Sequence, residues 1–498
     1  MLRLSNEKKN IISALLLQIV TILHGLILPR LIIVYFGSEI NGLVGSITQF
    51  LSFISLLEGG LGAVVLAELY KPIKEKDYNK IRVILGACQS FFNKLAIVFI
   101  IYTIILALFY PLFISRQFGF VYTSSLVIIL SFSTLGQYLF SITNKLFLQA
   151  SQKVYIVNIV TSVTIITNLV ISVIILLFFP SIHLVKIFAS LIFLIQPIVF
   201  NKYVDIKYRS RTENDKIDNT KVLRNRWSGF AQNLAHFINM NTDIAVLTIF
   251  VGLSEVSVYS VFMLAINALR TIICQVANSY HTSIGKHIAE GDIEKLRAKF
   301  QKFESSFWII STVLFCCCLC LINQFVQIYT SGVEDANYYR PLFGYIMVLA
   351  NCIYCIREPY RLLILADGKF KETNFGSIVE AALNLVISIA LVIPLGLTGV
   401  AIGTLIAIGF RMVYFIWFIR NNIVMFPYRH YIGYVFTFVS VVLINLLFCF
   451  KFQLQISNFF WFILYGAVFV LAESGITILC YKAFDTLFGK LIKDNDLP

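Results

Sequence analysis

The chain has 498 residues, of which 58% are hydrophobic and 13% are charged, and its formal net charge is +14. An ordinary soluble protein has roughly 45–50% apolar and about 25% charged residues, so this composition excludes a typical soluble globule and favours a chain solvated by lipid. The basic residues lie in short segments between apolar stretches, which is typical of membrane topology and argues against a nucleic-acid-binding face.

Apolar stretches recur along the whole chain. A hydrocarbon core of about 30 Å needs roughly 20 apolar residues in a helix. The first stretch is too long for a cleaved signal peptide and is interpreted as a retained helix. Fourteen candidate spans lie at 11–36, 43–69, 87–113, 121–148, 156–179, 182–204, 228–251, 257–284, 303–328, 341–365, 375–395, 400–420, 431–450 and 459–481. We therefore predict an all-α integral membrane protein with about fourteen transmembrane helices.

The distribution of basic residues predicts the orientation. With the amino terminus in the cytoplasm, most of the 40 Lys and Arg residues fall in inner loops, as the positive-inside rule requires. The outer loops then contain Arg116, Lys186, Arg340 and Lys451. An odd number of spans would break this division, so we expect both termini in the cytoplasm.

An internal repeat relates the two halves of the chain. A shift of 215 aligns Lys71–Arg82 with Lys286–Arg297, with six of twelve positions identical, and pairs Gly37 with Gly252. A shift of 216 aligns the pentapeptide NLVIS at Asn168–Ser172 with its copy at Asn384–Ser388. Two matches at nearly the same offset indicate a duplication. The segments 71–82 and 286–302 mix apolar and charged residues and are predicted to form short helices on the inner membrane surface.

The repeat predicts the domain organisation. Each copy has six spans, an even number, so both enter the membrane in the same sense and form two parallel six-helix bundles. The predicted parts are an N-terminal bundle at 1–204, a basic cytoplasmic linker at 205–226, a C-terminal bundle at 227–420, and two additional helices with a cytoplasmic tail at 421–498.

Polar residues inside spans 7 and 8 are the main candidates for binding. A charge near the bilayer centre costs about 2.5–3.5 kcal/mol on insertion scales, so it usually faces a cavity or a partner. Arg270 lies near the middle of span 8, and Asn267, Asn278 and His281 share its helix face. A second polar stripe in span 7 consists of Asn233, His236, Asn239 and Asp243. Both stripes are consistent with a lined cavity or with hydrogen bonds between buried helices.

Several isolated charges are further candidates. Arg30 follows Pro29 in span 1, where it either faces a cavity or extends to the interface, and Glu58 in span 2 is a candidate proton or sodium site together with Asp243. Arg357 and Glu358 stand before Pro359 and either pair or kink span 10.

Other intramembrane groups favour structural roles. Arg411 and Glu473 are interpreted mainly as helix-holding residues, and Asn384 has a repeat partner in Asn168. The spacing Gly399-x-x-x-Gly403 predicts close helix packing. The charges themselves are not repeated, because Ser55 aligns with Arg270 and Ser141 aligns with Arg357.

No pattern for catalysis, a metal or a cofactor is found in the sequence. There is no Walker A motif and no long outer loop with an acid pair or an activated nucleophile, so we predict that the chain is not an enzyme. The cysteines at 316–318 and 320 lie in an apolar stretch, where small packing residues are the favoured interpretation over a metal site.

Two stretches carry a family resemblance. LPRLIIVYFGSEINGLVGSITQFLSFISLLEGGLGAVVLAELYKPI at Leu28–Ile73 and LADGKFKETNFGSIVEAALNLVISIALVIPLGLTGVAIGT at Leu365–Thr404 resemble Wzx-type polysaccharide repeat-unit flippases. These belong to the multidrug/oligosaccharidyl-lipid/polysaccharide exporter superfamily, and the resemblance covers spans 1–12. It implies alternating-access transport of an undecaprenyl-pyrophosphate-linked oligosaccharide across the bacterial cytoplasmic membrane, for capsule, O-antigen or exopolysaccharide synthesis. It also implies a cationic lumen, with Arg30, Arg270 and Arg357 as its counterparts.

The partners implied are the lipid-linked oligosaccharide, a coupling Na⁺ or H⁺, membrane lipids, and polysaccharide polymerases and glycosyltransferases. A multidrug antiporter of the same superfamily is an alternative, but cationic drugs fit poorly with intramembrane arginines. A lipid II flippase is a second alternative that charge does not exclude. A membrane polysaccharide polymerase is the alternative outside transport, and it would need a larger outer loop.

Overall fold

The computed structural model describes residues 5–58, 61–114, 117–208, 230–290, 292–369, 371–424, 426, 428–451, 456 and 458–493. The predicted linker 205–226 lies almost wholly outside these residues. Within the helices, the side chains of Asn233, His236, Asn239 and His281 are also outside the description. The chain divides into two compact units, one of Met1–Phe237 with Gly252–Val256 and one of Ile238–Val251 with Ser257–Pro498.

All regular secondary structure in the described residues is helical. The first unit contains α1 Asn6–Phe36, α2 Ser38–Ser52, a 3₁₀ segment Phe53–Glu58, α3 Leu61–Glu75, α4 Tyr78–Phe113, α5 Phe120–Phe140, α6 Ile142–Ala150, α7 Val154–Phe178, α8 Ile182–Phe193 and α9 Ile195–Tyr208. Its core is formed by leucine, isoleucine and phenylalanine side chains of α2 to α5, such as Leu43, Phe92 and Leu126.

The helix α10 Phe230–Phe250 begins in the first unit, and its residues from Ile238 onwards belong to the second unit. The helices that follow are α11 Leu253–Glu290, α12 Ile293–Tyr329, α13 Pro341–Ile356, α14 Glu358–Ala366, α15 Asn374–Leu395, α16 Leu397–Asn422, α17 Tyr428–Lys451 and α18 Phe459–Lys493. The helices α17 and α18 pack on α12, where Cys316, Cys317 and Cys320 contact apolar side chains. This confirms that these cysteines are packing residues.

The membrane-protein prediction is confirmed. Twelve helices of the described residues are long and apolar enough to cross a membrane, by length and composition. The two remaining predicted spans are also helical. In span 228–251 the described apolar part is Asn241–Phe250, and span 341–365 is divided between α13 and α14 because the helix breaks at Arg357.

The repeat is visible in the local structure. Gly37 and Gly252 both have positive φ, 85° and 130°, before the helices α2 and α11. Asp77 caps α4 by accepting a 3.0 Å hydrogen bond from Lys80 N, and Asp292 caps α12 with the same bond from Lys295 N. The Lys80 backbone N–H and ammonium hold the pKa of Asp77 below its usual value. The two capping residues, Asp77 and Asp292, are 215 residues apart, which is the offset found in the sequence.

The second offset recurs as well. The breaks at Ser141 and Arg357 are 216 residues apart, and the short helices α6 and α14 begin and end at that offset. In the NLVIS copies, Ser172 Oγ donates to Asn168 Oδ1 and Ser388 Oγ donates to Asn384 Oδ1. The shared caps, breaks and hydrogen bonds support a duplicated scaffold.

The expectation of short surface helices at 71–82 and 286–302 is wrong. Segment 71–82 contains the end of α3 and the start of α4, and segment 286–302 contains the end of α11 and the start of α12. The reason is the Asp cap, which restarts a helix almost at once after the previous one ends and leaves no room for a separate element.

Close packing between α15 and α16 depends on glycine. A Cβ atom at Gly399 would lie 2.2 Å from Leu391 O, and one at Gly403 would lie 2.3 Å from Ser388 Oγ. The Gly399-x-x-x-Gly403 spacing therefore is a helix-packing motif, as the sequence predicts.

Candidate functional site

Arg270 is held by two residues of α13. Its Nη1 donates a 3.3 Å hydrogen bond to Asn351 Oδ1, and its guanidinium carbon lies 5.2 Å from the centre of the Tyr354 ring. A cation over an aromatic face is stabilised by the ring quadrupole. The Arg270 side chain is half-buried.

The predicted neighbours of Arg270 are only partly described. Asn267 is half-buried, and its Oδ1 is a buried acceptor with no hydrogen-bond donor among the described residues. Asn278 is exposed. His281, together with Asn233, His236 and Asn239 of α10, lies outside the described side chains, so the predicted stripes stay a prediction at those positions.

Arg357 is engaged in a buried ion-pair cluster. It stands at the break between α13 and α14, is 4% exposed, and pairs with Glu380 of α15. Arg411 of α16 approaches the other Glu380 oxygen at 3.6 Å. Of the two alternatives for Arg357 and Glu358, the helix break is the one found, since Glu358 pairs with Arg361 at 2.8 Å. This geometry favours a scaffold role for Arg357.

Asp243 lies in an oxygen-rich site of the second unit. The residue is 4% exposed, and its Oδ2 accepts a 3.0 Å hydrogen bond from the Tyr259 hydroxyl. Thr404 Oγ1 lies 3.1 Å from Asp243 Oδ2 and 3.1 Å from Val400 O. The Asn384 side chain also hydrogen-bonds Asp243.

Several oxygen atoms lie close together around Asp243. Thr404 has one hydroxyl proton for the Asp243 carboxylate and Val400 O, and Ser388 has one proton for Asn384 Oδ1 at 3.0 Å and Val400 O at 3.4 Å. Carboxylate, hydroxyl and carbonyl oxygens are the ligands of hard cations. The residues around Asp243 therefore supply ligand types that suit a hard cation.

Glu58 borders a cavity of the first unit. The cavity has a volume of about 510 Å³, and its polar lining includes Ser133, Thr134, Gln137, Lys145 and Gln149. Glu58 Oε1 accepts a 2.7 Å hydrogen bond from the Tyr138 hydroxyl. The chain leaves the α-helix at Phe53–Glu58, immediately before Gly59 and Gly60. Glu58 is the last residue of this segment and lines the cavity.

Arg30, the last predicted cavity arginine, is half-buried in α1 directly after Pro29. Within the second unit, Arg270 and Arg357 flank the same Tyr354 ring, at 5.2 Å and 4.4 Å.

Sequence reasoning missed two tyrosines of these sites. Tyr138 contacts Glu58, and Tyr354 lies under Arg270. The two positions differ by 216, so an identical polar residue at the repeat offset was a signal that could have identified both.

Comparisons with known proteins give the fold. No protein-family model and no curated protein sequence matches the chain. The solved structure titled "Lipid II flippase MurJ, inward closed conformation" is 16% identical, with a TM-score of 0.66 over 97% of this chain and 99% of that one. An outward-facing multidrug resistance MATE family transporter of the MOP superfamily is 17% identical, with a TM-score of 0.58 over 83% and 95%.

A third structure, of a MOP superfamily transporter from Pyrococcus furiosus, is 16% identical, with a TM-score of 0.51 over 83% of this chain and 95% of that one. The titles of these structures describe a flippase and transporters. The chain has the fold that the MurJ flippase shares with MATE transporters of the MOP superfamily.

Proposed function

We propose that the protein is a flippase that moves an undecaprenyl-pyrophosphate-linked oligosaccharide from the inner to the outer leaflet of the bacterial cytoplasmic membrane by alternating access. The transporter fold supports translocation, and the resemblance to Wzx-type flippases supports this cargo. The observation that carries the proposal is Arg270. Its half-buried guanidinium lies on the apolar helix α11 and is held by Asn351 and Tyr354 of α13.

A pyrophosphate is the cargo group that Arg270 suits. A guanidinium offers a planar fork of donors that matches two phosphate oxygens, and such charge-assisted hydrogen bonds are about twice as strong as neutral ones. Asn351 and Tyr354 fix the orientation of the fork before cargo arrives. A cationic drug would be repelled by the same group, which disfavours the multidrug antiporter.

The test is substitution of Arg270. We expect Arg270→Ala to abolish surface polysaccharide while the protein stays at normal abundance in the membrane. Arg270→Lys should restore only part of the output, because lysine keeps the charge and loses the fork. Arg297→Ala is the matched control, since it removes an exposed arginine at the start of α12. Normal polymer output from Arg270→Ala at native expression would refute the proposal.

We further propose that Asp243 couples transport to a monovalent cation. The oxygens of Asp243, Thr404 and Val400 would hold the ion, and binding would replace the Tyr259 and Thr404 donors as the partners of the carboxylate. In proteoliposomes, an imposed Na⁺ or H⁺ gradient should accelerate flipping by the native protein. Asp243→Asn should remove that acceleration and leave cargo binding intact. A gradient response that survives in Asp243→Asn would exclude this site.

A further inference from the structure

The cavity of the first unit is lined mainly by hydroxyl and amide groups, together with one carboxylate, Glu58, and one lysine, Lys145. Its polar residues include Ser133, Thr134, Gln137 and Gln149, and Phe92 and Tyr138 add aromatic surface. Its volume of about 510 Å³ lies within the range of roughly 300–1,000 Å³ for small-molecule sites. The cavity is therefore large enough to receive part of a cargo molecule.

The repeat-related positions of the second unit have a different chemistry. Ser55, which lines the cavity, corresponds to Arg270, and Gln137 corresponds to Ile353, whereas Lys145 corresponds to the equally cationic Arg361. Tyr138 is retained as Tyr354, but its surroundings have changed. In the first unit its hydroxyl donates to Glu58, whereas in the second unit its ring lies under two guanidinium groups.

The two lining chemistries suit different parts of one amphiphilic cargo. Arginine beside an aromatic ring suits a pyrophosphate. Hydroxyl and amide groups can both donate and accept, so they match the hydroxyl groups of a sugar. The Glu58 carboxylate adds two acceptor oxygens, oriented by the Tyr138 hydroxyl.

We infer that the first-unit cavity is a carbohydrate-binding subsite, which binds the sugar portion of the cargo. This inference rests on the proposed flippase function. It assigns Glu58 to cargo recognition in place of ion coupling. It also locates specificity for the sugar in the first unit, since a site built to hydrogen-bond hydroxyl groups discriminates strongly against ligands that lack them.

The experiment compares two ligands that differ in the sugar. The probes are undecaprenyl pyrophosphate and the undecaprenyl-pyrophosphate-linked oligosaccharide fraction extracted from the producing bacterium. Affinities are measured for the full-length protein in nanodiscs. The variants are Gln137→Leu and Gln149→Leu, which remove an amide each at similar size, and Arg270→Ala serves as the comparison.

The native protein should bind the oligosaccharide fraction more tightly than bare undecaprenyl pyrophosphate. Gln137→Leu or Gln149→Leu should weaken binding of the oligosaccharide fraction by about tenfold or more, with unchanged binding of the bare lipid. Arg270→Ala should weaken both ligands. Unchanged binding of the bare lipid would also show that each leucine variant is folded.

Two outcomes would overturn the inference and are distinguishable. If both leucine variants bind the oligosaccharide fraction as the native protein does, the cavity is not a sugar subsite, while the proposed function stands. If the native protein binds neither ligand, the proposed function fails and the inference fails with it.

Discussion

Glu380→Gln removes the carboxylate that lies between Arg357 and Arg411. The two arginines are 4% and 3% exposed, so both guanidinium groups would stay buried after the substitution. The local charge would change from +1 to +2. Breaking a buried pair in this way typically costs about 3–5 kcal/mol.

The surroundings place the expected cost near the lower end of that range. Arg411 keeps its hydrogen bonds to Thr373 O at 3.1 Å and Ser377 Oγ at 2.6 Å. The Arg357 guanidinium keeps its place 4.4 Å from the Tyr354 ring centre. About 3 kcal/mol corresponds to a shift of roughly 100-fold in the folded-to-unfolded ratio.

The charge argument is tested by a second substitution. Glu380→Gln combined with Arg411→Gln restores the local charge of +1, so the double variant should melt at a higher temperature than Glu380→Gln alone. Thermal unfolding in nanodiscs gives the order of the three Tm values, and membrane abundance provides an independent measure. A double variant that is less stable than the single variant would show that uncompensated charge is not what makes Glu380 necessary.

Two further predictions concern packing and topology. Gly399→Ala should lower the free energy of unfolding by about 1–3 kcal/mol, because the added Cβ would overlap Leu391 O. Gly409→Ala in the same helix is the matched control, since no atom lies within 4 Å of its added Cβ. Equal Tm values for the two variants would contradict this packing argument. Asp215→Cys, on a background lacking the native cysteines, should react with an impermeant thiol reagent only after the membrane is opened, and labelling of intact cells would place the linker outside.

The sequence predicted the helical segments better than their interruptions. Apolar length identified the twelve helices that are long and apolar enough to cross a membrane. The offset of 215 paired the two segments that contain the caps Asp77 and Asp292, but it did not predict the caps. Pro359 indicated a kink of span 10 as one of two alternatives, and the helix does break at Arg357. The sequence did not reveal the partner of Arg357, because Glu380 lies on another helix.

The candidate site was less accessible to sequence reasoning. Arg270 was identified because a charge inside an apolar span is costly, but its partner Asn351 lies on a different helix. The same holds for Asp243, whose partners Tyr259 and Thr404 come from α11 and α16. Helical periodicity reports which residues share a face, and it does not report what that face meets.

The lengths of α4, α11 and α12 have a mechanical consequence. These helices contain 36, 38 and 37 residues, and at 1.5 Å per residue each is about 55 Å long, whereas a bilayer with its headgroups is about 40–45 Å thick. On the predicted topology, the helix ends next to Asp77 and Asp292 extend beyond the membrane into the cytoplasm. A tilt of about 10° would move the tip of such a 55 Å rod by about 10 Å. Labels at Asn79 or Glu294 would therefore convert small rotations within the membrane into displacements measurable from the aqueous side.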